Sequence, residues 1–288
     1  MFSTGKLNRK LLVGSFLIWL FMTVTVLADD NVIVEKVGQG TIDWTNGLIH
    51  VVGYGVPPRE VSGPRAKLMA RNTAKTDAYR NAAEVINRVR VNSDSLVEDY
   101  VMKSERIRLV VESFLRGARI IKVDQQRDGI IELMIELPLG GQAGLITLLN
   151  RPEVTGFSGL EPPAPSGFPE SGEASRYTGV IIDARNLKVK PALYPRVFDG
   201  EGYLLYASTM VNLARPGFTT IVAYTRSLEA ARKLPRLGSN PLVLTTEKAG
   251  PTTGGEQTDL VLGVEAAKAF RGLPPEVIQN GAVVFLID

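Results

Sequence analysis

Ala66, Ala70, Ala74, Ala78 and Ala82 recur every four residues and are continued by Ile86. A four-residue recurrence is a ridge along a helix, and a ridge of methyl groups lets the helix backbone approach its neighbour closely. The segment from Arg65 to Arg90 is therefore expected to be helical, with Pro64 at its start, where a missing N–H costs nothing. Arg71, Lys75, Asp77, Arg80, Glu84 and Arg88 fall on its wet side. Upstream, residues 48–56 read as a strand with Leu48, His50 and Val52 on one face and Ile49 and Val51 on the other. The strand ends on Gly53-Tyr54-Gly55, and Pro57, Pro58 and Pro64 bracket the loop that follows. Glycines there are expected to let the strand end tightly beneath a helix or another strand.

The same glycines invite a second reading, a phosphate-binding loop. A dinucleotide fingerprint needs a third glycine three residues after the second, and that position is Pro58. No helix opens until about Pro64, so the N–H groups that would hold a phosphate are missing. No Gly-Lys-Ser/Thr follows, which removes the Walker loop. His50 is the single histidine. A serine triad would have to use it, and no Gly-x-Ser-x-Gly elbow is present. A zinc site would have one histidine and only carboxylates. His50 on a strand reads as a core or interface residue, and Trp44 as an aromatic closing the edge of a small core rather than a sugar-stacking platform. Asp183-Ala184-Arg185 reads as a loop-fixing ion pair rather than a site pair. No catalytic, cofactor-binding or metal-ligating residue is assigned, and no cofactor is expected.

Further along, Ser95 and Glu98 fit a capping box. Leu96, Tyr100, Ile107, Val111 and Phe114 continue as a second helical stripe, with polar residues 103–106 marking a break and Gly117 an end. Asp128-Gly129 lies between two strand-like runs, a hairpin signal. In the second run Ile131, Leu133, Ile135 and Leu137 alternate with Glu132, Met134 and Glu136. The expected first domain, residues 29–150, is strand, helix, helix, hairpin: two helices packed on an antiparallel sheet. Residues 151–176 form a Pro/Gly-rich linker without periodicity. Residues 177–288 are strand-rich: Val180 to Ile182, a hairpin around Asp199 to Gly202, a helix from Ser227 to Leu234, a strand from Leu242 to Thr245, a loop from Lys248 to Gln257, a strand from Leu260 to Val264, a helix from Glu265 to Arg271 and a final strand within Gly281 to Asp288. The fold class is α+β in two small domains.

The N-terminus carries Lys6, Arg9 and Lys10, then the apolar run Leu11 to Val26, then Val26-Leu27-Ala28 before Asp29. This is a secretory signal over residues 1–28, cut after Ala28, and it places the body in the periplasm. An uncleaved anchor is the competing reading, and only then is the membrane a partner. The 33 basic residues include those three, and all 30 acidic residues lie later, so the exported chain balances at 30 against 30. The sequence pI of about 9.0 belongs to the precursor and gives no support to a nucleic-acid partner. There is no cysteine, which excludes disulfides and cysteine lipidation.

Several of these residues also carry a resemblance: Gly38-Gln39-Gly40, Asp43-Trp44, Gly53-Tyr54-Gly55, the helix RAKLMARNTAKTDAYRNAAEVI, and SERIRLVVESFLRGARII before the Asp-Gly hairpin. Residues of about 38–140 resemble the domain shared by bacterial surface lipoproteins of the Lpp-twenty type and by the N-terminal part of the periplasmic flagellar assembly protein T. The segment YTGVIIDARNLKVKPALYPRVFDGEGYLLY resembles domains that follow this one in envelope proteins. The resemblance implies an α/β domain, an envelope location and a role in assembly or surface interaction, with no catalytic residues. The chain departs from the lipoproteins in lacking the lipidated cysteine, which favours a free periplasmic form, and from the flagellar protein in its C-terminal half. The expected function is a non-enzymatic envelope protein in structure, assembly or interaction, with flagellar ring components, other envelope proteins or itself as partners. The alternative is a peptidoglycan- or glycan-binding module resting on Trp44, Tyr177, Tyr194, Tyr203 and Tyr206.

Overall fold

The computed structural model describes residues 31–150, 176–246, 248–250 and 255–288. The signal segment, its cut after Ala28, the linker up to residue 175 and the tip of the 248–257 loop lie outside the described residues.

The chain is α+β, with an antiparallel sheet and helices in its first half and a strand-rich second half. In the first half, β1 (Val34–Val37), β2 (Gly40–Asp43) and β3 (Leu48–Gly55) form a meander. Helix α1 (Gly63–Asn87) follows, then the small ladder of β4 (Arg90–Asn92) and β5 (Ser95–Leu96). Helices α2 (Val97–Lys103) and α3 (Glu105–Arg116) lead to the hairpin β6 (Arg119–Gln125) and β7 (Ile131–Pro138), and α4 (Leu145–Leu149) ends the half. The sheet order is β1-β2-β3-β7-β6, antiparallel throughout. Two of its strands, β1 and β2, are absent from the strand–helix–helix–hairpin expectation. Each is four residues long, too short to show an alternation, and Gly38 at φ 52° makes the turn between them.

The break between α2 and α3 falls at Ser104, whose hydroxyl accepts from the Ile107 amide. Ile107, Val111 and Phe114 are buried as the stripe requires. The capping box is displaced by one residue from the expected one. Ser95 is in β5, Leu96 is the N-cap, and the Asp99 carboxylate, not that of Glu98, accepts the Leu96 amide at 2.7 Å.

In the second half, β8 (Gly179–Asp183), β9 (Val197–Asp199), β10 (Leu204–Tyr206) and β11 (Ala223–Thr225) come first. Then follow α5 (Leu228–Arg232), β12 (Pro241–Thr245), β13 (Lys248–Ala249), β14 (Leu260–Leu262), α6 (Val264–Arg271), α7 (Pro275–Gln279) and β15 (Val283–Leu286). One sheet has the order β11-β15-β8-β12 and is parallel at every pairing. The other, β10-β9-β14-β13, is mixed. All four residues of β15 are buried, as are the first four of β8. Runs apolar on both faces suit central parallel strands, which helices or loops cover on each side. The 248–257 loop is pinned at both ends: Ala249 pairs with Leu260, and the Glu256 amide donates to the Ser93 carbonyl at 2.9 Å.

The halves interlock. Trp44 stands edge-on to Tyr224, with centroids 6.2 Å apart. The Thr45 hydroxyl donates to the Tyr224 carbonyl at 2.6 Å, and the Leu193 and Tyr194 amides donate to the carbonyls of Arg90 and Val91 at 2.9 and 3.0 Å. A Cβ on Gly140 would stand 2.1 Å from the Thr219 carbonyl oxygen, so backbone presses on backbone there. One continuous apolar cluster runs through both halves.

Candidate functional site

The alanine ridge and the Gly-x-Gly strand meet. A Cβ on Gly53 would lie 2.2 Å from the Ala78 nitrogen, and one on Gly55 would lie 1.9 Å from the Ala70 carbonyl oxygen. No side chain fits at either place. The helix lies directly on the strand, and the amides it brings to the glycines, those of Ala74 and Ala78, lie in the middle of the helix and not at its open first turn. Asn81, buried beside the same ridge, donates to the Val52 carbonyl at 2.9 Å. Asp77 accepts the Tyr54 amide at 2.9 Å. Neither anchor is marked by the alanine spacing: Asn81 falls one residue before Ala82, off the four-residue recurrence.

The opposite face of the first sheet holds the chain's histidine. His50 Nε2 is 3.1 Å from Glu136, which also binds Arg119. The Arg119 guanidinium holds the Glu136 carboxyl below the usual glutamate range, against the opposing effect of burial, and His50 adds to the lowering. This is a cross-strand charge cluster between β3, β7 and β6, with Thr41 of β2 opposite His50 on its other side. Asp183 and Arg185 pair at 2.5 Å, the loop-fixing arrangement, and Arg185 lowers the Asp183 pKa.

The aromatic residues do not assemble into a stacking surface. Trp44 is 1% exposed, wedged between the halves with its indole N–H on Glu35 at 3.1 Å. Tyr206 is fully buried, its hydroxyl donating to the Ile221 carbonyl at 2.7 Å. The Tyr194 hydroxyl donates to the Ile146 carbonyl at 2.7 Å. Tyr203 alone of the set is an exposed large side chain. Trp44 and Tyr194 pack at the junction between the halves and Tyr206 inside the second half, each a large side chain whose polar tip has a partner.

Two further surface features bear on what the chain can bind. A cleft of about 550 Å³ lies between β1 and the second half, where Lys188, Lys190 and Arg226 share the lining with Glu35, Glu256 and Asp288. It adjoins the carboxyl ends of the parallel strands, a common place for ligands in open sheets. Asn186 and Lys188 sit at φ 68° and 54° there, held by the Asp288 carboxylate, which accepts both their amides. Its lining mixes both signs of charge and selects neither anion nor cation.

The second feature is strand β6. All seven of its residues are exposed, and it forms an edge of the five-stranded sheet. Ile120, Ile121 and Val123 are 37%, 40% and 39% exposed. Ile120 and Val123 pair with Ile135 and Leu133, whose side chains are buried on the helix side of the sheet. The helical cover over β3 and β7 therefore does not extend over β6. Among the described residues no strand pairs with the outer side of β6, and an edge of this length offers a row of backbone donors and acceptors to an added strand. The sequence hid this feature because strand order across a sheet is not written in any local pattern.

Comparison with known families places one part of the chain. Residues 179–288 match the family described as the second domain of Treponema pallidum Tp0624. The match opens at the first residue of β8 and runs to the last residue of the chain, so it coincides with the second structural half. No curated protein matches the chain.

Proposed function

We propose that this protein is an exported component of the bacterial cell envelope that acts by binding other proteins rather than by catalysis. The open edge of β6 carries the reading. A sheet edge with exposed isoleucine and valine beside charged residues is suited to strand addition, in which main-chain hydrogen bonds supply affinity and side chains supply register. The interlocked halves form a stiff body to present that edge. The periplasm is the proposed location, supported by the basic and apolar pattern of residues 6–26 and the small residues before Asp29. The resemblance of residues 38–140 makes the flagellar basal body the envelope structure to test first.

The test is crosslinking in living cells with the tagged full chain, followed by identification of what is captured from the envelope fraction. Recovery of flagellar ring or rod proteins is the expected result. Recovery of the chain from the cytoplasmic fraction, without envelope partners, would overturn the reading.

A further inference from the structure

The sequence of β6 says what can occupy its bare side. We propose that β6 pairs antiparallel with β6 of a second copy about a two-fold axis at Val123, joining two five-stranded sheets into one. This rests on the interaction reading above and names its partner.

The register follows from a bulge. Arg119 and Ile120 oppose Glu136 and Ile135, and then Lys122 to Gln125 oppose Met134 to Ile131, so Ile121 is the extra residue. Beyond the bulge, Lys122 and Asp124 lie on the face away from the helices, while Val123 and Gln125 lie on the helix side. Residues directly opposed in an antiparallel pair carry their side chains on the same face, and like charges opposed there repel. An axis through Lys122 sets lysine against lysine. An axis through Asp124 sets aspartate against aspartate. An axis through Ile121 straddles the bulge and opposes side chains from different faces. An axis through Val123 sets each Lys122 opposite the second copy's Asp124, sets valine against valine on the helix side, and places Ile121 opposite Gln125.

The charges are already arranged for this. Lys122 Nζ lies 2.6 Å from Asp124 within one chain, and the two side chains are 56% and 50% exposed. Pairing turns two such contacts into one alternating cluster of four charges. A lysine on an edge strand commonly guards against unwanted pairing. Here the aspartate two residues on makes that guard selective, favouring the register centred on Val123 over those centred on Lys122 and Asp124. The same pairing covers Val123, which otherwise stays part-exposed beyond the reach of the helices.

The chain has no cysteine, so any disulfide formed by an introduced one joins two copies. Val123→Cys in the full chain is expected to yield a covalent dimer on mild oxidation. Gln125 is also exposed, but Gln125→Cys would stand four residues out of register, roughly 13 Å apart along the strand, beyond the about 7 Å limit for bridging. It is expected to form no covalent dimer under the same oxidation. Equal crosslinking of the two variants, or none from Val123→Cys, overturns the pairing. Charge reversal reads the register separately. Lys122→Glu alone and Asp124→Lys alone should each sediment as monomers, while a mixture of the two should associate, because each then meets an opposite charge. Single variants that dimerise as well as the parent overturn the register. Loss of self-pairing would leave the envelope-binding reading standing, since that reading fails on the crosslinking capture and not on oligomeric state.

Discussion

Strands β3 and β6 belong to the same sheet, with β7 between them, and have opposite fates. On β3 the inward positions are Ile49, Val51, Gly53 and Gly55, all buried, and the glycines allow a helix to rest on bare backbone. On β6 the inward positions Ile120 and Val123 find no helix above them. Cover in this fold is set by how closely the layers approach. A helix pressed onto two glycines sits low over the middle of the sheet and leaves the far edge uncovered.

The largest expected effect comes from breaking the close approach. Gly55→Ala drives a methyl into the Ala70 carbonyl, and overpacking of this kind should cost about 3 kcal/mol or more in denaturant unfolding. A loss below about 1 kcal/mol would mean the helix can lift without penalty. Next is Asn81→Ala, which leaves the part-buried Val52 carbonyl without its partner and should cost about 1–3 kcal/mol.

A smaller effect is expected at Glu136. Its folded-state pKa lies below its ordinary value, so its stabilising contribution is present above the unfolded-state pKa and is lost as pH falls through the folded-state one. Glu136→Gln should therefore lower stability near neutral pH and flatten the decline in acid. A variant with an unchanged acid limb would show that the Arg119 and His50 contacts contribute nothing. The smallest effect should be at the bare edge. Val123→Thr is expected to change the stability of a single chain by no more than about 0.5 kcal/mol, because its side chain is already part-exposed. A large loss at low protein concentration would show that β6 is covered by something within the chain.

Much of the first half was legible in the sequence for local reasons. The alanine spacing, the glycine pair, the Ser104 break and the Asp-Gly hairpin are each carried by residues within a turn or two of one another. The parallel direction of β8, β11, β12 and β15 was not legible, since an apolar run such as Val283 to Leu286 says that a strand is buried but not which way its neighbours run. Nor was the role of Trp44. Its partner Tyr224 is far along the chain, and no local pattern links them. The open edge, which carries the functional reading, was invisible for the same reason: it is a property of strand order.

The interlock between the halves bears on how such a chain can be inherited. Residues 179–288 align with a family of their own, as a transferable cassette would, yet here the cassette is fitted to its neighbour. Gly140 and Gly47 make room for the backbone around Thr219, and Trp44 and Thr45 close over Tyr224. Recombination between residues 150 and 176 would separate surfaces that are shaped to each other, so a successful exchange would have to carry both halves or remake the glycines and the tryptophan at the seam.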